Sequence, residues 1–428
     1  MRGRSTGLAR LATAVALLTG TTACSDTSEE LDTRRGAGQA APVAAPTPQG
    51  PAANAEGVAP PQDVASGAAG ESGGEPGVAG AGGSGADEPA EPGGASDESQ
   101  QPTDEAEGAA GAPAASAPPA PPMDGPIGFA SLNGGTTGGA GGELVTARSH
   151  DELSSYASGD DPRIIMVEGT IDNGPGGGVI RVGSNKSIIG VGSTAFLDRV
   201  VISIQDERNI IIRNLRISLV GHSEPTSIND GDDISISGNS TNIWIDHCEL
   251  YSEDPSQQTD IDFYDGLIDI KNSSGYITVS WNYAHDHHKG FLVGASESDL
   301  HDERKITYHH NHFARVRKRT PTYRGAVGHV FNNYISGADQ ATFAMTGTCL
   351  RVERNFYENQ VEKKYSIFTN DAEPGEAEII DNLIAGGNNR DFPPACTADI
   401  PYAYADVLIE NAQDVKAIVI AGAGVGKL

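Results

Sequence analysis

The pairs Asn311-His312, Asn333-Tyr334 and Asn355-Phe356 stand 22 residues apart, at the ends of the short runs Ile306-Thr-Tyr-His-His-Asn311, His329-Val-Phe-Asn-Asn333 and Arg351-Val-Glu-Arg-Asn355. Similar pairs lie outward on both sides. Asn214-Leu215, His247-Cys248 and Asn282-Tyr283 come before, and Asn382-Leu383 after. The successive spacings are 33, 35, 29, 22, 22 and 27. A floor of 22 with variable excess predicts a coil of constant minimum length, with loops inserted at fixed corners. Asn side chains stacked at one bend would hydrogen-bond along the stack. The β-branched runs at 164–167, 187–189, 200–204, 210–212, 243–245, 277–279 and 306–308 supply the strands. This pattern predicts an all-β parallel β-helix. A β-sandwich would need hairpin turns every 8 to 12 residues. The Asn-Gly and Asp-Gly pairs, at 133, 173, 230 and 265, are too few for that. One helix is signalled, by the capping box Ser149–Glu152 ahead of Leu153 and Tyr156.

Composition divides the 428 residues in three. The net charge of −29 is unevenly placed. Residues 1–24 carry Arg2, Arg4 and Arg10, an apolar run over 11–18, and small residues up to Cys24. That is the pattern of a bacterial export signal. Cys24 directly after Ala23 resembles a lipobox, although Thr21 stands where Leu is usual. Lipidation of Cys24 is therefore expected, the alternative being ordinary cleavage. Residues 25–125 hold 17 acids and two bases in an Ala/Gly/Pro/Ser-rich background. They cannot bury enough apolar surface to offset chain entropy and read as a disordered linker. Residues 126–428 hold the remaining −17 and are long enough for one large core. So acidic a chain is not a general nucleic-acid binder. No run of about 18 apolar residues occurs that would cross a membrane as a helix.

Three clusters of chemistry follow. Asp230, Asp232 and Asp233 precede one strand, and Asp260, Asp262, Asp265 and Asp269 lie about one rung later. Converging carboxylates repel unless a cation joins them, and a hard cation such as calcium fits an all-Asp set. The alternative is a set of solvated turn acids. Residues 304–324 contain Arg304, Lys305, Arg315, Arg317, Lys318, Arg319 and Arg324, with no acid between Glu303 and Asp339. Such a stretch on an acidic domain suits a polyanionic ligand, or is a solvated basic face. His285, His287, His288, His309, His310 and His312 lack familiar zinc spacing, so stacking or groove lining is expected of them.

Ordered motifs then name a family. Trp244-Ile-Asp-His-Cys-Glu-Leu250, Asp265-Gly-Leu-Ile-Asp-Ile270, Lys289-Gly-Phe-Leu-Val-Gly294, the Ile306 run and Arg319-Thr-Pro-Thr-Tyr-Arg324 occur in sequence. Residues 126–428 thereby resemble the extracellular pectate lyases of the family-1 polysaccharide lyases. The resemblance implies a right-handed parallel β-helix of three sheets with a short N-terminal capping helix. It implies cleavage of polygalacturonate by β-elimination. It places calcium on Asp230, Asp232, Asp265 and Asp269, where the third is often Glu. It places the catalytic arginine at Arg319 and substrate-binding cations at Lys289 and Arg324. Lys289, Arg317, Arg324 and calcium would disfavour the charged form of Arg319, and an alkaline optimum would follow. Pectin lyases of the same fold would not keep four metal-site Asp residues, and polygalacturonases hydrolyse with paired carboxylates. A non-catalytic carbohydrate-binding β-helix is opposed by Lys289, Arg319 and Arg324 together. Cys349 and Cys396 are expected to pair, leaving Cys248 a buried thiol. A monomer, secreted or lipid-anchored at the cell surface, is expected.

Overall fold

A computed structural model describes residues 125–221, 231–358, 365–370, 373–385, 391–409 and 411–428. The export signal with Cys24, nearly all of the linker, and Asp230 lie outside the described residues.

Three parallel ladders wind into a β-helix. Among the described residues sheet 1 has ten strands, from Glu143–Ala147 through Thr241–Asp246, Gly275–Ser280 and Lys305–His309 to Glu376–Ile380. Sheet 2 consists mainly of short strands such as Glu249–Tyr251, His312–Lys318 and Tyr334–Ser336. Sheet 3 includes Val200–Gln205, Ile234–Ser237, Gly266–Ile270 and Thr322–Tyr323. The strand Tyr283–Val293 belongs to both. Its first half pairs with sheet 2 and its second half with sheet 3. The interior is a set of vertical columns. Ile212, Ile245, Val279, Tyr308, Val330 and Val352 stack in register and are fully buried. Ile202, Ile234, Ile268 and Phe291 face them from sheet 3. Columns of β-branched and aromatic side chains explain why the sequence reads as repeated apolar runs.

The bend between sheets 1 and 2 holds the Asn stack. Asn282, Asn311, Asn333 and Asn355 each donate Nδ2–H to the Oδ1 of the next, at 2.9–3.0 Å, ending on Asn382. Each Oδ1 also accepts the preceding rung's backbone N–H, as Asn333 does from Asn311 at 2.9 Å. The expected column is wrong for its first two members. Strand register aligns Leu215 and Cys248, not Asn214 and His247, with Asn282. Asn214 and His247 belong to the neighbouring column with Trp281, His310, Asn332, Arg354 and Asp381, all at φ between 48° and 58°. That column needs the left-handed conformation, which Asn tolerates better than most side chains. Sequence alone confused two reasons for Asn at adjacent positions.

The helix His150–Ala157 forms where its cap signals it and buries Leu153 and Ala157 in the core. Ser149 Oγ accepts from Glu152 N, but Glu152 reaches back to the amide of Arg148 rather than of Ser149. A second helix, Ala412–Gly422, is absent from the expectation. Asn411 caps it, and Val415 and Val419 pack on Tyr334 and Phe356 of sheet 2. The i, i+4 spacing of those valines was its signal. Cys349 and Cys396 form a disulfide that ties the 391–409 segment to sheet 1, and Cys248 is a buried free thiol.

Replacing Asn333 by Ala would leave the amide of Asn311, the carbonyl of Tyr308 and the side chains of two ladder neighbours short of a partner. A loss of roughly 3 kcal/mol is expected, from about 1–3 kcal/mol per buried unsatisfied group with partial relaxation. Thermal melting should show it as a clearly lowered Tm.

Candidate active site

The outer face of sheet 3 collects the chemistry. In Gly266–Ile270, Ile268 and Ile270 point into the core, so alternation turns Asp269 outward. Lys271, two residues on, leaves the sheet on the same side. Asp232, just before Ile234–Ser237, accepts the Gly266 amide at 3.0 Å. Carboxylate oxygens of Asp232, Asp265 and Asp269 all lie within 4.8 Å of one another. Gly266 permits this approach: a Cβ there would stand 2.2 Å from Asp269 Oδ1 and 2.9 Å from Asp232 Oδ1. Asp233, equally buried, lies outside the cluster.

Lys271 is the member that sequence reasoning missed. Its ammonium lies 3.0 Å from Asp232 Oδ2 and 3.4 Å from Asp269 Oδ2. Strand periodicity from Asp269 could have found it. Burial, and then the charge of Asp232, push the Asp269 carboxyl up, against the pull of Lys271 and Arg319. Burial likewise raises Asp232. Asp269 Oδ1 is buried with no hydrogen-bond partner. An orphaned oxygen among three converging carboxylates is the donor set of a hard cation, whose ligand distances of about 2.3–2.6 Å match this spread.

The cations flank the acids. Lys289, in register with Gly266, bridges Asp262 at 2.8 Å and Asp265 at 2.9 Å. His287 supports the same corner, with Nε2 on the Asp265 carbonyl at 2.9 Å and Nδ1 on Ser252 Oγ at 2.6 Å. Arg319 follows the strand His312–Lys318, at φ 63°, with its carbonyl taking the Phe291 amide at 2.7 Å. Arg324 is nearly buried and donates to the Gly294 carbonyl at 2.6 Å. Its own carbonyl is held by Arg304 at 2.9 Å. Arg304 is completely buried and also bonds Asp299 Oδ1 at 2.6 Å.

The basic stretch is therefore not one groove. Arg304 is internal, Arg315 pairs with Asp286 away from the acids, and Lys305 lies over Tyr276 beside sheet 1. The histidines divide similarly. His285 and His312 stack on Tyr283, while His309 and His310 are buried with their Nδ1 atoms 3.0 Å apart.

A family model described as pectate lyase matches residues 116–428. The chain belongs to the pectate lyase family. The pectate trisaccharide-lyase of Bacillus licheniformis is 40% identical over 311 residues, covering 70% of this chain and 86% of that protein. Pectate lyase A of Aspergillus niger is 36% identical over 304 residues, covering 70% and 88%. The crystal structure of a pectate lyase from Bacillus sp. N165 in complex with trigalacturonate superimposes with a TM-score of 0.63. It is 34% identical and covers 71% of this chain and 99% of that one.

Within this pectate lyase domain, Lys271 neutralises two carboxylates whose side chains are each 1% exposed. Lys271→Met should therefore destabilise the protein by about 3 kcal/mol without added metal, because it strands buried charge. Comparison of melting temperatures in chelator measures this.

Proposed function

We propose that the chain is a calcium-dependent pectate lyase. It cleaves α-1,4-linked polygalacturonate by β-elimination and releases 4,5-unsaturated oligogalacturonides. The observation that carries the reading is the set Asp232, Asp265 and Asp269, with the unpartnered Asp269 oxygen, flanked by Lys289 and by Arg319. The names of the relatives and the trigalacturonate in the Bacillus sp. structure support the same substrate class.

In this reading Asp232, Asp265 and Asp269 hold calcium, with Asp230 as a fourth ligand from outside the described residues. Calcium bound there supplies positive charge to a uronate carboxylate, which makes the neighbouring C5–H acidic. Lys289 and Arg324 orient the sugar through charge-assisted hydrogen bonds. Arg319 takes the C5 proton. The C5–H electrons form the C4=C5 bond, the C4–O bond breaks, and the departing oxygen gains a proton. Two cations beside the reacting carboxylate also stabilise charge as it develops. Export by residues 1–24, an anchor at Cys24 and the 25–125 tether would hold a monomeric enzyme at the cell surface, facing extracellular pectin.

Absorbance of the unsaturated product on polygalacturonate tests the reading. Product should form with calcium, stop with chelator, and resume when calcium is restored. New reducing ends without that absorbance would show hydrolysis and refute elimination. Arg319→Lys should lower kcat at least about 100-fold, the lower bound for loss of a positioned acid–base group, and Asp232→Asn should raise the calcium concentration needed for activity. Near-normal turnover in Arg319→Lys would remove the base role from Arg319.

A further inference from the structure

The wall beside Lys289 carries a second cation. Lys318 ends the strand His312–Lys318 and stands in parallel register with Lys289. Their side chains leave the sheet on the same side, one rung or about 4.8 Å apart. Lys289 is engaged by Asp262 and Asp265. Lys318 is half-buried, and its ammonium forms no hydrogen bond or ion pair among the described residues, although its charge acts on Asp262 and His288. Next to it opens a recess of ≈ 330 Å³, lined by Lys318, Arg317, His288, Asp339, Pro255 and Ile261. That volume is at the lower end of the range of about 300–1,000 Å³ typical of ligand pockets.

The recess is polar and its charges are sorted. His288 bonds the Ile261 carbonyl at 3.2 Å, and burial, then the charge of Lys318, push its pKa down. Asp339 donates its amide to the Arg317 carbonyl at 2.8 Å, and both of these residues have further contacts. Asp262, at the rim, is already claimed by Lys289. The uncommitted charge is the Lys318 ammonium, one residue before Arg319. A polyuronate carries one carboxylate on every sugar. A chain held at Lys289 therefore offers a neighbouring carboxylate to the rung that carries Lys318.

We propose that this recess is a carboxylate-binding subsite, in which Lys318 holds the uronate of a galacturonate next to the one bound at Lys289. The inference rests on the polygalacturonate reading above. It makes Lys318 a substrate-binding residue that acts on affinity and leaves bond-making to Arg319.

Lys318→Ala should raise KM for polygalacturonate about fivefold with kcat unchanged, the loss expected for a partly exposed ion pair. Lys318→Arg should bring KM back near that of the unsubstituted enzyme, and added salt should narrow the Ala difference. Retardation during electrophoresis through a polygalacturonate-containing gel needs no turnover, and should weaken in Lys318→Ala alone. Unchanged KM together with unchanged retardation would overturn the subsite. If the unsubstituted enzyme yields no unsaturated product while Lys318→Ala still loses retardation, the lyase reading fails and the subsite stands.

Discussion

One bend sets the register of the whole coil. Between sheets 1 and 2 each rung from Asn214 onward places a left-handed residue, and from Asn282 the following Asn locks to the rung above and below. The ladder side chains satisfy backbone groups that the turn would otherwise leave buried and unpaired. With that corner fixed, parallel pairing fixes the strands on either side. A slip of one residue in Gly266–Ile270 would turn Asp269 into the core and Ile270 to solvent. The acid cluster is thus a consequence of a structural ladder on another edge of the same coil.

The outer face of sheet 3 is assembled from separate rungs. Asp232, Asp265 with Asp269, Lys289, and Arg319 with Arg324 come from successive turns. Regular stacking turns distant sequence positions into near neighbours, while inserted loops supply Asp262 and the Pro255–Ile261 wall. Buried pairs hold this frame. Arg304 with Asp299 fixes the carbonyl of Arg324, and His287 fixes that of Asp265. Lys271 stands beside the crowded carboxylates of Asp232 and Asp269.

How legible this was depends on whether a residue's role is local or stacked. The 22-residue period, the apolar runs and the Ser149 cap are local or periodic signals, and they foretold the coil, its core and its first helix. The motif around Asp265 and Asp269 marked acids that the coil does bring together with Asp232. The shift between Asn214 and Leu215 was not legible, because Asn favours both a left-handed corner and a ladder. The basic stretch misled for a related reason. Charge counted along a chain ignores that a coil sends residues 304, 305 and 315 to different faces.

By itself the sequence determined that the chain coils in parallel rungs and which acids and cations could do chemistry. Periodicity and side-chain type suffice for that. Only the tertiary structure decided that Lys271 lies between two buried carboxylates, that Arg304 is a scaffold, and that the Lys318 ammonium makes no ion pair among the described residues. Those facts depend on register between rungs and on which face a corner presents, and neither is encoded at any one position.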